Sequence, residues 1–230
     1  MIIKQFVLSA FQQNTRVVVC EQTGRAICID PGDKSPEIVE YINENGFELQ
    51  AITLTHGHLD HVGGTKYLLE NFPQAELLLH TDDEDLYYGL PLQPLFMGMQ
   101  PEQLKALGLE YDPPPQLTRN WEHGEIYAVG SLEFTVLHCP GHTRGHVVLA
   151  EKANKKIFVG DCLFAGSIGR TDLPGGSYDQ LIESIETNIL SLGDDFVVYS
   201  GHGPETTVGM ERETNPFLTG ANNPARGRFI

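Results

Sequence analysis

Between positions 56 and 61 the chain sets three imidazoles and a carboxylate, in the run Thr55-His56-Gly57-His58-Leu59-Asp60-His61. The run directly follows the apolar stretch Ala51-Ile52-Thr53-Leu54-Thr55, a candidate buried strand, and leads into a helical pattern over 62–71. The polar cluster is therefore expected at the carboxyl end of a strand, where α/β proteins build their sites. Imidazole nitrogen and carboxylate oxygen are the ligand set shared by zinc, iron and manganese. Local geometry limits how they are used. His56 and His58, two apart in a loop, project to one ion, whereas Asp60 and His61, displaced toward the helix, face a second. Gathering these groups with no cation would leave buried charge and unpaired polar atoms, which is costly.

Catalytic metal sites draw ligands from several strand ends, so further ligands are expected far along the chain. Three positions meet that test. His142 follows a strand over 134–138, Asp161 one over 157–159, and His202 one over 196–200. Each is flanked by glycine, in Gly141-His142, Gly160-Asp161 and Gly201-His202-Gly203, which lets the backbone turn sharply beside an ion.

Around these motifs the chain alternates strands and helices. Strands are expected over 2–8, 15–21 and 26–29 as a meander. A helix over 36–45 with Ile38, Val39 and Ile42 on one face is stopped by Gly46, and a strand follows over 75–79. The second half gives strands at 125–129 and 132–138, a hairpin of 146–151 with 156–159, an amphipathic helix over 178–190, and a last strand at 196–200. Two similar halves imply an α/β chain in one domain over 1–230: a four-layer αββα sandwich of two mixed sheets with helices on the outer faces. Residues 82–120 differ in kind. Tyr87, Tyr88, Phe96, Met97 and Met99 lie among Pro91, Pro94, Pro101 and Pro113-Pro114-Pro115. They read as short helices and a long connection, either a lid over the site or a surface insertion. The segment 94–99 fits a lid, core or interface equally, and the oligomeric state stays open.

Charge narrows the partners. With 15 Lys+Arg against 31 Asp+Glu the formal net charge is −16, which argues against nucleic acid, whose phosphates need clustered cations. No apolar run approaches the ~20 residues that span a bilayer, so no membrane partner is expected. The N-terminal segment has no signal-peptide pattern. Cys20, Cys28, Cys139 and Cys162 are scattered without a CxxC pair, as reduced thiols of a cytoplasmic protein would be.

In these ordered motifs, Thr55 to His61, Pro140-Gly141-His142-Thr143-Arg144-Gly145-His146, Gly160-Asp161 and Gly201-His202-Gly203, the chain resembles the metallo-β-lactamase-fold hydrolases over 53–203. Leu163-Phe164, the run Gly166-Ser167-Ile168-Gly169-Arg170-Thr171-Asp172 and Gly175-Gly176 look like the short glyoxalase II-like enzymes, the hydroxyacylglutathione hydrolases. That likeness implies two divalent ions, zinc foremost with iron or manganese as alternatives. His56, His58 and His142 would hold one, Asp60, His61 and His202 the other, and Asp161 would bridge them. It implies hydrolysis of a small-molecule thioester, such as a glutathione conjugate like S-lactoylglutathione, to a 2-hydroxy acid and the thiol. The nucleophile would be hydroxide from metal-activated water, with Asp60 and Asp161 as the catalytic carboxylates. His61 sets the chain apart from many β-lactamases. Arg170 and, less directly, Tyr178 are the expected substrate contacts. Only 28 residues follow His202 (230 − 202 = 28), too few for the helical glutathione-binding domain of longer family members. Persulfide dioxygenases, with one iron held by two histidines and an aspartate, share the Gly-Arg-Thr-Asp segment. A non-catalytic metal-binding protein on the same fold is the remaining alternative.

Overall fold

Apolar residues on both faces of the central strands force a layered arrangement, because each face must be covered. The computed structural model describes residues 1–96, 98, 100, 102–103 and 111–220. Met97, Met99 and Pro101, singled out above, lie outside the described residues. Strands β1 (Ile2–Leu8), β2 (Gln13–Val19) and β3 (Arg25–Ile29) form an antiparallel meander. Strands β4 (Glu48–Thr53), β5 (Glu76–His80) and β6 (Arg119–Trp121) extend it in parallel, in the order β1-β2-β3-β4-β5-β6.

The second sheet begins with β7 (Ile126–Val129), β8 (Leu132–His138), β9 (Val147–Glu151) and β10 (Lys156–Gly160), each antiparallel to the next. A two-residue hairpin, β11 (Leu163–Phe164) with β12 (Ser167–Ile168), precedes β13 (Val197–Ser200), which runs parallel to β10. Strand β14 (Thr206–Thr207) closes the edge, giving the order β14-β13-β10-β9-β8-β7. Helices α1 (Pro36–Glu44), α2 (Leu59–Val62), α3 (Thr65–Asn71), α4 (Glu84–Tyr88) and α5 (Gln93–Phe96) belong to the first half. Helices α6 (Tyr178–Ser184) and α7 (Val208–Thr214) belong to the second.

Alternation along single strands sorts side chains into layers. Val18, Ile27, Ile29, Ala51 and Leu78 of the first sheet meet Phe134, Val136, Val147, Leu149 and Phe158 of the second in the central layer. Their neighbours Val17, Val19, Cys28, Ile52, Leu54, Leu77 and Leu79 turn outward under Ile38 and Ile42 of α1 and Leu68 of α3. On the far side Val148, Ala150, Ile157, Val159 and Val198 are covered by Leu181 of α6, Ile185, Ile189 and Val208 of α7. The αββα sandwich of two mixed sheets is thus the observed fold.

Local departures from the sequence reading have physical causes. The pattern over 62–71 is two helices, because at Gly64 the loop 31–33 crosses the chain: a Cβ there would lie 2.2 Å from the Asp33 carbonyl oxygen, and the Gly64 amide donates to the Pro31 carbonyl at 2.7 Å. The pattern over 178–190 starts as α6 and widens into a π-helical turn over Ile185–Ile189. Strand β6 is only Arg119-Asn120-Trp121, too short and polar to show a strand period.

Phe158 is 1% exposed at the centre of the sheet-on-sheet layer, against Phe134 and stacked on Tyr199 at 5.1 Å. Phe158→Ala is expected to lower unfolding free energy by about 3–5 kcal/mol, the usual cost of an emptied aromatic site. Urea unfolding checks this; a loss below about 1 kcal/mol would place Phe158 outside the packed layer.

Candidate metal centre

Strands that end at one edge of the sandwich deliver polar residues from both sheets to the same place. The loop after β4 carries His56 and His58, with Asp60 and His61 in α2. The loop after β8 carries His142, β10 ends one residue before Asp161, and β13 ends two residues before His202. Backbone bonds lash these loops together: Val147 donates to the Thr55 carbonyl at 2.8 Å and Gly201 to the Gly160 carbonyl at 2.8 Å. The close approach requires glycine at 201, where a Cβ would sit 2.2 Å from Asp161 Oδ1 and 2.6 Å from His61 Cε1.

All seven expected ligands are brought together. Donor atoms of His56, His58 and His142 lie within 4.8 Å of one another, as do those of Asp60, His61 and His202, and those of His56, His61 and Asp161. Asp161 stands between the two sets. Its Oδ1 is 3.3 Å from His61 Nε2, and its Oδ2 is 3.6 Å from His202 Nε2 and 3.8 Å from His142 Nε2. Asp60 Oδ2 is 3.2 Å from His202 Nε2.

Four of the imidazoles are oriented through Nδ1, leaving Nε2 for the centre, the usual device for aiming a histidine ligand. His56 Nδ1 is 3.0 Å from the Thr55 hydroxyl and His61 Nδ1 is 2.9 Å from Asp30 Oδ2. His142 Nδ1 is 2.8 Å from the Arg170 carbonyl and His202 Nδ1 is 3.1 Å from the Phe11 carbonyl. His58 is the exception, presenting Nδ1 at 2.9 Å from His142 Nε2.

The donor set fits a cation. His56 Nε2 is buried with no hydrogen-bond partner, and buried His61 Nε2 and Asp161 Oδ1 face each other at 3.3 Å without a well-aligned bond, so an ion between them would recover about 1–3 kcal/mol for an atom left unsatisfied. Electrostatics agree. Burial drives the His56 pKa well below its ordinary value and lowers that of His58 to about 3, so both offer free lone pairs. Burial opposes charge on His61 as well, but Asp161, Asp60 and Asp30 outweigh it and raise its pKa well above the imidazole range. Burial likewise works against a charged Asp161, and His61 together with His142 and His202 reverses the effect and keeps its pKa low. Without an ion, a proton on His61 offsets part of the charge of Asp161, Asp60 and Asp30; a bound ion would take that role and expel it.

A cavity of about 270 Å³ opens over the centre, lined by Asp60, Asp161 and His202 below and by Phe11, Leu59 and Leu173 as apolar walls. Arg170 also lines it, but its guanidinium is held in a fork by Asp172, at 2.8 Å for both Nε and Nη2. Tyr178 does not line this cavity; it opens α6 and packs on the outer apolar layer of the second sheet. The tip of the β1–β2 hairpin supplies Phe11 to the wall and the Phe11 carbonyl to His202, and Gln13 forms a bridge to His202. His80, Asp82 and His138 form another group of metal-ligating residues. The His80 and His138 rings are stacked 4.1 Å apart and 8° from parallel, so their in-plane lone pairs run side by side instead of converging.

The residues behind the ligands carry weaker signals in the sequence. Asp30 was legible only as part of the break Asp30-Pro31-Gly32, yet its carboxylate accepts from the Thr55 amide and hydroxyl, both at 2.7 Å, besides facing His61. His146, in the second Gly-His pair of the 140–146 motif, is fully buried and its Nε2 accepts from the Asp161 amide at 3.1 Å. The repeat of Gly-His was the available signal for it. Asp83 and Gln93, buried in the connection, gave none.

The family model described as Metallo-beta-lactamase superfamily matches residues 8–202. The hydroxyacylglutathione hydrolase GloC of Haemophilus influenzae is 39% identical over 213 residues, 92% of this chain and 95% of its own length. Among solved structures, the BLEG-1 B3 metallo-beta-lactamase gives a TM-score of 0.83 at 32% identity, covering 95% of this chain and all of that one. TTHA1623, solved in a di-iron-bound form, gives 0.80 at 37% identity, covering 94% of this chain and 100% of that one.

Two outcomes are expected from removing the metal. Chelation lowers the melting temperature, and added divalent ion restores it in a concentration-dependent way, by about 2.7 kcal/mol at a hundredfold excess over the dissociation constant. Calorimetry in two buffers of different ionisation heat should show protons released on binding. Affinity should fall as pH falls, by about tenfold per unit for each proton displaced. Metal-independent melting would contradict the fit.

Proposed function

The chain belongs to the metallo-β-lactamase superfamily, and on that premise we propose that it is a metal-dependent thioesterase cleaving S-lactoylglutathione and related hydroxyacylglutathiones to a 2-hydroxy acid and glutathione. The observation that carries the reading is the pair of ligand sets meeting at Asp161 beneath a small cavity with apolar walls. The similarity to the GloC hydrolase over nearly the whole length supports the thioester as substrate.

In this reading His56, His58 and His142 would hold one divalent ion and Asp60, His61 and His202 a second, with Asp161 available to both, zinc foremost with iron or manganese as alternatives. When bound, such ions act as Lewis acids that lower the pKa of water and polarise a carbonyl oxygen. The remaining work belongs to the chain. Asp60, whose charge His61 and His202 stabilise against its burial, accepts a hydrogen bond from the attacking water and orients it. Phe11, Leu59 and Leu173 enclose the acyl group and thin out bulk water. Arg170 at the rim meets a carboxylate of the thiol half through Nη1, the guanidinium nitrogen that its fork with Asp172 leaves free. Cleavage of the C–S bond releases a thiolate, which leaves without prior protonation, so no strong general acid is needed.

The four cysteines, all buried and unpaired, suit a reducing compartment, and we place the protein in the cytoplasm. Among the described residues no helix is long and apolar enough to cross a membrane. At a net charge of −16, attraction of an anionic thioester is local, from the ions and Arg170, and nucleic acid is no partner.

Hydrolysis of S-lactoylglutathione, followed spectrophotometrically with metal content measured on the same sample, tests the proposal. Asp161→Ala should lose metal and activity together, and Arg170→Ala should raise KM more than it lowers kcat, the mark of a lost binding contact. Turnover of a β-lactam without thioesterase activity, or oxygen uptake with glutathione persulfide, would overturn it.

A further inference from the structure

His56 and His58 stand on the loop after β4, and His142 stands on the loop after β8 in the opposite sheet, so three ligands of one ion depend on the mutual position of two loops. Asp83, in the turn after β5, joins them. Its Oδ2 accepts from the Gly57 amide at 3.0 Å and from the Thr143 hydroxyl at 2.7 Å, and its Oδ1 accepts from the Gly145 amide at 2.7 Å. Gly57 lies between the two ligands of the first loop, and Thr143 is next to the ligand of the second.

Asp83 is 1% exposed and, among the described residues, takes part in no ion pair. A buried carboxylate without a cation costs several kcal/mol unless hydrogen bonds satisfy it, and here all three bonds go to the two ligand loops. Gln93 of α5 adds to the brace from the same connection. Its Nε2 donates to the Gly57 carbonyl at 2.7 Å and its Oε1 accepts from the Leu59 amide at 2.9 Å, so both peptides flanking His58 are held. The other half of the centre has separate supports, Asp30 behind His61 and the Phe11 carbonyl behind His202.

We propose that Asp83 is a positioning residue for the His56, His58 and His142 half of the centre, and that the Asp60, His61 and His202 half does not depend on it. This rests on the two-ion reading above. Loss of the carboxylate should let the loops drift and weaken one ion selectively.

The test is removal of zinc from the zinc-loaded protein by a colorimetric chelator, with zinc per chain counted at the start. His58→Ala and His202→Ala identify the phase belonging to each half. In Asp83→Asn, the phase assigned by His58→Ala should weaken by roughly 10–100-fold, the usual effect of losing a ligand's support, while the other holds. Thr143→Val, which removes one of the three bonds, should weaken the same phase by less, and serves if Asp83→Asn does not fold. Glu211→Gln is the control. Glu211 is also a buried carboxylate with three donors, Gly166, Asn215 and Thr206, none of them in the loops that carry His56, His58 and His142; its loss should lower the melting temperature and leave the phase assigned by His58→Ala unchanged. Equal weakening of both phases in Asp83→Asn, no weakening, or the same loss in Glu211→Gln would overturn the inference. Wild-type protein holding one zinc would instead overturn the two-ion reading.

Discussion

Everything at the open edge of this sandwich is arranged around a buried negative charge. Asp161 sits almost out of water, where an ionised carboxylate is unfavourable by several kcal/mol unless a positive partner lies close. The nearest side chains are imidazoles, and no lysine or arginine pairs with it among the described residues. An imidazole balances a carboxylate only while it is protonated, so a proton on His61, which the surrounding carboxylates favour, or a bound cation has to supply the balance. The backbone geometry follows from that need: glycine at 201 permits the close approach, and His146 fixes the Asp161 peptide from behind.

The fold serves that constraint by being stiff where the ligands are anchored. Both sheets are apolar on two faces, so the strands that end at the site are packed from either side and cannot slide without opening a layer. The ligands themselves lie beyond the strand ends, in loops that would be free to move alone. A ring of buried polar side chains makes up the difference. Asp30 ties the Thr55 peptide to His61, and the carbonyls of Arg170 and Phe11 hold His142 and His202. The centre is thus a network of satisfied hydrogen bonds around a few atoms deliberately left open to an ion.

Much of this was legible in the order of residues. Apolar runs with both faces buried read correctly as central strands, and histidines and aspartates after such runs marked the site, because ligand chemistry restricts residue type and strand ends restrict place. The supports were not legible, for a physical reason. A buried carboxylate such as Asp30 or Asp83 is indistinguishable in sequence from a solvated one, since its partners are main-chain amides that carry no residue identity. Arg170 shows the same limit in reverse: its type suggested a free cation, while Asp172, two residues on, already occupies its guanidinium. Strand β6 escaped notice because three residues cannot display a period.

The β1–β2 hairpin tip does two jobs with one residue: the Phe11 ring forms a wall of the cavity and the Phe11 carbonyl orients His202. Substrate preference and ligand geometry are therefore inherited together at this turn. A lineage that lengthened or reshaped the tip to admit a bulkier ligand would also move His202. Diversification of specificity should be easier at Leu173, whose wall position carries no such second duty, than at the hairpin.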